Sequence, residues 1–309
     1  MHVIDLPASL DYRAVDALLD QAAASDGKAL LDARHVRWVD PCGIVALLAA
    51  GTRLRDRVGT QPLLRLPEPA EVVGYMARMG FFAAADGIFE LDHKPPRRAT
   101  GGESDVLLEI TPITTNSDVH EVVDKVQGRA GQILSRTLAY PTSAVVQFSV
   151  ILSEVCQNII EHAEASGWVA TQTYNWKKTV GRKVVVIAVM DLGIGFRASL
   201  AAAHAARHDR WDDAAALEAA FMHGQTRFHD PGRGQGLQQI RKMVGRWGGR
   251  VSIRSGTARI ADVPSWDTAT QHRTEELPHL PGAQIGIVLP ARVAAEPAAS
   301  SAAAGGVSA

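Results

Sequence analysis

The rhythm of apolar and polar positions changes twice along the chain. Before residue 93, strand-length apolar runs at Val3 to Leu6, Ala29 to Asp32 and Leu63 to Leu66 alternate with helical periodicity at Tyr12 to Ala24, Gly43 to Arg57 and Pro69 to Met79. That alternation predicts an α/β domain over residues 1–92. Residues 93–104 carry no apolar periodicity and contain Pro-Pro and Gly-Gly, which break helix and strand alike, so they predict a linker. Beyond it, a strand near Val106 to Ile110 precedes helical stretches at Ser117 to Leu138 and Thr142 to Ala163. Strand patterns follow at Trp168 to Trp176 and Lys183 to Met190, then a polar and Ala-rich stretch to Pro231. A helix from Leu237 to Trp247 and strands Arg250 to Ser255 and Gln284 to Leu289 complete the pattern. This order predicts an α+β two-layer sandwich over residues 105–290, with helices on one face of a mostly antiparallel sheet. Residues 291–309 are dominated by Ala, Ser and Gly and predict a disordered tail.

Composition agrees with two domains, because 309 residues at 46% apolar content can supply two cores. Lys and Arg number 32 against 33 Asp and Glu, so no general field draws the chain to nucleic acid or an anionic membrane, and an anionic ligand needs a local site. Cys42 and Cys156 lie far apart, without C-x-x-C spacing or clustered His, which excludes a disulfide framework and a zinc module. The N-terminus lacks a basic segment followed by an apolar core, and no apolar run approaches the ~20 residues of a membrane span. A cytoplasmic protein without membrane contact is expected.

Three stretches carry candidate chemistry. In Ser153-Glu154-Val155-Cys156-Gln157-Asn158-Ile159-Ile160-Glu161-His162, helical geometry places Glu154, Asn158 and His162 within about 80° of one another. A carboxylate beside an amide suits a hard cation that keeps several waters. Cys156 lies about 200° from Glu154 and is expected in the core. Asp191-Leu192-Gly193-Ile194-Gly195 ends an apolar strand, where glycines permit close backbone approach and Asp191 can accept a hydrogen bond from an exocyclic amine. Gly232-Arg233-Gly234-Gln235-Gly236-Leu237 runs into a helix, an arrangement that presents backbone N–H groups to phosphate oxygens.

Taken in order, these stretches resemble the N, G1 and G2 boxes of the GHKL superfamily of ATP-binding domains, which includes histidine kinases, topoisomerase ATPase subunits and anti-sigma-factor serine kinases. The resemblance implies ATP and Mg²⁺ as cofactors, with Glu154 as general base and Asn158 as the metal ligand. It places Asp191 on the adenine amine with Gly193 and Gly195 beneath the base. Gly232, Gly234, Gly236 and Leu237 would border the phosphates, His162 would stand behind the site, and residues 197–231 would form the nucleotide lid. That stretch contains Ala-rich helical sequence with His204, His208 and His223 rather than an evident phosphate lysine, which leaves Arg227 and Arg233 to neutralise charge. The last strand begins Pro281-Gly282-Ala283-Gln284, where many relatives have Gly-Thr, so a polar contact near adenine is expected to be missing.

Residues 1–92 resemble a STAS domain, the fold of anti-sigma-factor antagonists, through the run from Leu30 to Leu48. In that family serine follows the Asp at the helix start; here Pro41 and Cys42 follow Asp40, so the phosphorylatable hydroxyl is absent. Pro41 suits a first helical turn. Cys42 at a helix N-terminus is either a packing residue or a thiol of lowered pKa. The pairing of the two resemblances implies an ATP-binding regulator of partner-switching type, acting as a serine/threonine kinase or slow ATPase. Its expected partners are a sigma factor, a STAS or phosphatase-type regulator, or a second copy of the chain. The alternatives are a nucleotide-gated binding module without phosphotransfer and, through His120, a histidine kinase-like enzyme.

Overall fold

The computed structural model describes residues 1–96, 106–125, 128, 131, 134–135, 139–160, 165–177, 180–207, 210–226 and 236–292. Much of the expected linker, the expected tail, His162, His208, Arg227, Gly232, Arg233 and Gly234 lie outside them.

The N-terminal domain is α/β. In chain order it contains β1 (His2–Asp5), β2 (Ser9–Leu10), α1 (Val15–Ala23), β3 (Ala29–Asp32), β4 (Trp38–Val39) and α2 (Pro41–Val58), then β5 (Leu63–Arg65), α3 (Ala70–Arg78), α4 (Phe81–Ala84) and β6 (Glu90–Leu91). A parallel sheet runs β1-β3-β5-β6, and β2 pairs separately with β4. Helix α2 starts where its sequence dictates. Asp40 caps it by accepting from the Gly43 amide at 2.9 Å, Pro41 occupies the first turn, and Gly59 ends it at φ +75°. From Pro41 to Gly51 every residue of α2 is buried. A helix apolar all round needs cover on all sides.

That cover comes from the second part of the chain. Its elements are β7 (Val106–Ile113), α5 (Asn116–Lys125), α6 (Thr142–Asn158), β8 (Gly167–Trp176), β9 (Arg182–Asp191), α7 (Gly195–His204) and α8 (Asp213–Phe221). They continue with α9 (Gly236–Arg246), β10 (Arg250–Gly256), β11 (Ala258–Asp262), β12 (Arg273–Thr274) and β13 (Leu280–Pro290). Seven strands in the order β12-β11-β10-β13-β9-β8-β7 pair antiparallel throughout. Strand β9 shows how the sheet is used. Val185, Ile187 and Val189 face the core under α5 to α9, whereas Val184, Val186, Ala188 and Met190 join the core of the N-terminal domain. Side chains alternate between faces, so an uninterrupted apolar run is a strand covered on both.

The expected sandwich of helices on an antiparallel sheet is present, and α2 adds a third layer by packing against β8 and β9. Polar contacts cross the same boundary. Asp16 of α1 meets Arg254 of β10 at 2.8 Å and Arg259 of β11 at 3.2 Å, and the Tyr75 and Tyr174 hydroxyls are 2.9 Å apart.

The structure refines three local expectations. The Ala-rich helical sequence before Pro231 forms two helices, α7 and α8. Asp212 caps α8 by accepting from the Ala215 amide at 2.9 Å, and Asp213 accepts from the Thr257 amide and hydroxyl. Six of the nine α8 residues are buried, so no polar face produced a helical period. Strands β11 and β12 were not anticipated, because both are short and polar residues interrupt the segment between them. Helix α6 passes into a π-helical turn at Ile159 and Ile160, and the remainder of the expected stretch to Ala163 lies outside the described residues.

Candidate functional site

The C-terminal end of α6, the end of β9, the start of α7 and the start of β13 meet at one edge of the helix-covered face. Among the residues lining the cleft between them are Asn158, Ile159, Asp191, Phe196, Ser199 and Ile285. It encloses about 30 Å³, room for water rather than for a purine ring.

Asp191 anchors this cleft. Only 7% exposed, it accepts from the Gly193 amide at 2.9 Å and is also held by the Ala283 amide. Burial drives its pKa up to about 6 against these two backbone donors, which pull it down. Gly282 stands behind the carboxylate at φ +83°, where a Cβ would come within 2.4 Å of both Asp191 O and Oδ1. Gly195 begins α7 at φ +72°, and a Cβ there would meet Ser255 Oγ at 2.8 Å. That serine donates to Gly282 O at 2.6 Å and accepts from the Phe196 amide at 3.2 Å, tying the starts of α7 and β13 together.

The N-box residues lie alongside. Asn158 lines the cleft, and one of its terminal amide atoms is buried without a hydrogen-bond partner. One turn earlier, Glu154 faces the start of α9, where a Cβ on Gly236 would stand 2.3 Å from Glu154 Oε2. Only glycine admits so close an approach of backbone and carboxylate. Leu237 is 7% exposed and belongs to the core beneath α9, so its contribution is to seat the helix. His204 is buried, and its Nε2 lies 2.8 Å from Thr226 O, fixing the chain to α7 just before residues 227–235.

The family model described as histidine kinase-, DNA gyrase B-, and HSP90-like ATPase matches residues 144–281. These residues form a GHKL-type ATPase domain. None of the curated proteins compared with the chain matches it. Within the GHKL domain Asn158, Asp191 and Gly195 line the cleft, Gly193 donates to Asp191, and Glu154 and Gly236 face one another alongside. An orphaned amide, a buried carboxylate and glycine positions that a Cβ would fill suit an adenine nucleotide. Among the described residues no three His, Cys, Asp or Glu side chains form a metal cluster, so Mg²⁺ held here would take Asn158, water and phosphate oxygens as ligands. Ser255 and Phe196 were missed at the sequence level, and Gly282 and Ala283, singled out there only for a missing polar contact near adenine, also hold Asp191 from behind.

The two cysteines are packing residues. Burial pushes the Cys156 thiol up to about 12 and raises that of Cys42 well above its ordinary value. Cys42 lies against the seven-stranded sheet, 3.7 Å from the position of a Gly286 Cβ, on the face opposite the GHKL cleft. No helix among the described residues is long and apolar enough to cross a membrane.

Proposed function

We propose that the chain is an ATP- and Mg²⁺-dependent regulator of partner-switching type, with serine/threonine kinase-like chemistry in its GHKL domain and a STAS-like N-terminal domain that cannot accept phosphate. The observation that carries the reading is the convergence of Asp191, Asn158 and the Glu154–Gly236 contact on one edge of the sheet. Asp191 would accept from the adenine amine while Gly193 and Ala283 hold its carboxylate in place. Asn158 would ligate the metal, and Glu154 would take the proton from a partner's serine or threonine hydroxyl at its Oε atoms. When bound, Mg-ATP supplies the transferable γ-phosphoryl group and the charge neutralisation that phosphoryl transfer requires.

In a STAS-like domain Asp40, Pro41 and Cys42 would stand at the phosphorylation site, and their burial against the far face of the sheet supports a substrate other than the chain's own N-terminal domain. Isothermal titration of ATP with and without Mg²⁺, on wild type and Asn158→Ala, tests the reading. Magnesium-dependent binding in wild type alone is expected, and absence of wild-type binding overturns it. Phosphorylation of a partner that Glu154→Ala leaves unchanged would remove the kinase part.

The narrowness of the cleft favours a second reading, a nucleotide-gated binding module. A space of about 30 Å³ must open before a purine can seat, so occupancy changes the packing of α7 whether or not a phosphoryl group moves. A non-hydrolysable analogue would then switch partner capture as well as ATP does.

A further inference from the structure

A second cleft, of about 420 Å³, lies between the N-terminal domain and the seven-stranded sheet, on the face opposite the nucleotide site. Its size is that of a small-molecule site, and domain boundaries are common places for such sites. Tyr12 and Trp38 line it from the N-terminal domain, and Trp176 and Trp266 from the other side. Three of the six tryptophans of the chain thus surround one cleft.

The charges of the lining have a definite sense. Arg13 is engaged by Asp11, to which it donates through Nε at 3.0 Å and Nη2 at 2.5 Å. Arg250 is 4% exposed, pairs with Asp267 at 2.6 Å and stacks on the Tyr12 ring at 4.2 Å. Both guanidiniums are therefore occupied by a carboxylate. The third carboxylate of the lining, Asp40, is 4% exposed and has no salt bridge among the described residues. Aromatic faces carry negative quadrupole density that attracts a cation and does nothing for an anion. Three carboxylates line the cleft against two guanidiniums, and burial pushes the unpaired one, Asp40, up to about 7, so near neutral pH it is only partly ionised and a cation seated against it would hold it in its charged form.

We propose that this cleft binds a small organic cation, an ammonium head with an apolar body, with its charge against Asp40 and its body against Trp38, Trp176 and Trp266. A ligand there touches both layers and stabilises their docking, because anything that binds only the packed state shifts the equilibrium toward it.

The test uses the full chain, with choline as the minimal quaternary ammonium and 3,3-dimethylbutan-1-ol as its neutral isostere, followed by tryptophan fluorescence and isothermal titration. Choline is expected to saturate with a Kd in the millimolar range or below and to bind at least ~10-fold tighter than the alcohol. Asp40→Asn keeps an acceptor for the Gly43 amide, so α2 remains capped, and it is expected to weaken choline at least ~10-fold. Trp38→Ala removes a side chain that is 44% exposed, leaves the core intact and is expected to weaken choline several-fold. Choline is also expected to raise the melting temperature of wild type but not of Asp40→Asn. Equal binding of the two probes, no saturation up to about 100 mM choline, or unchanged affinity in both variants would each overturn the proposal.

Discussion

Asp191 titrates in the direction opposite to most folded-protein carboxylates, and that has a measurable consequence for stability. Its ordinary value is 3.8, and burial raises it to about 6 in the folded chain. Between those values the folded state holds a proton that the unfolded state has lost, so unfolding free energy falls as pH rises. The stabilisation is fully present below pH 3.8 and has gone above about 6. At about 1.4 kcal/mol per pH unit the whole effect is ~3 kcal/mol, of which ~1.4 kcal/mol falls between about pH 5 and about pH 7.5. Asp191→Asn removes the titration and leaves the other ionisable groups in place. The stability of wild type relative to Asp191→Asn should therefore decline by that amount across the interval, read from urea denaturation of both proteins in matched buffers. An ionised carboxylate is what an exocyclic amine would need, so ATP affinity should move the other way and weaken below about pH 6. A wild-type minus variant difference that is flat with pH, or that grows toward alkaline pH, would refute the placement of Asp191 as a desolvated carboxylate.

Other positions give sharp expectations. Gly282→Ala puts a Cβ within 2.4 Å of Asp191 O at φ +83° and should cost ~2 kcal/mol or more in stability, with loss of nucleotide binding, by denaturation and titration calorimetry. Gly236→Ala drives a methyl group into Glu154, with 2.3 Å between Cβ and Oε2, and should weaken ATP at least ~10-fold while changing the melting temperature little. Asp16→Ala strips Arg254, whose side chain is 2% exposed, of its 2.8 Å partner and should destabilise the chain by ~3 kcal/mol in a chemical melt. Neither Cys42 nor Cys156 should react with a maleimide in the native state, since both are buried with raised thiol pKa values; rapid labelling of Cys42 would contradict the packing of α2 on the sheet.

How much of this was legible depends on how local each signal is. The continuous apolar run of β9 and the Asp-x-Gly that ends it lie within a few residues, and both the strand and the seat of Asp191 follow from them. Glu154 and Asn158 share a helix face, so their juxtaposition also follows from spacing alone. The close approach of Gly282 to Asp191 was not legible, because the two are 91 residues apart in sequence and meet only through the β13–β9 pairing, in which Gln284 lies opposite Met190. Helices α7 and α8 are legible as Ala-rich sequence but their bounds are not: six of the nine α8 residues are buried, which leaves that helix no apolar stripe to delimit it.

Helix α2 held more information than periodicity could extract. An uncapped apolar surface running from Pro41 to Gly51 required two partners, and a single small sheet supplies one. The second is the outer face of the GHKL sheet, where Val184, Val186 and Ala188 were already apolar in the sequence. Two surfaces with the same unmet need, on segments joined by a short connection, are each other's most economical solution. This docking puts Asp40 at a boundary instead of on a free loop, and brings Tyr12, Trp38, Trp176, Trp266 and Arg250 within reach of one ligand. No motif unites those residues, since they come from five places in the chain. The polar cleft is thus a product of the apolar packing, and a variant that loosens α2 from the sheet, such as Ala46→Asp, should abolish choline binding together with cooperative unfolding. If choline still bound with wild-type affinity after the two layers had separated, the cleft would not be the site.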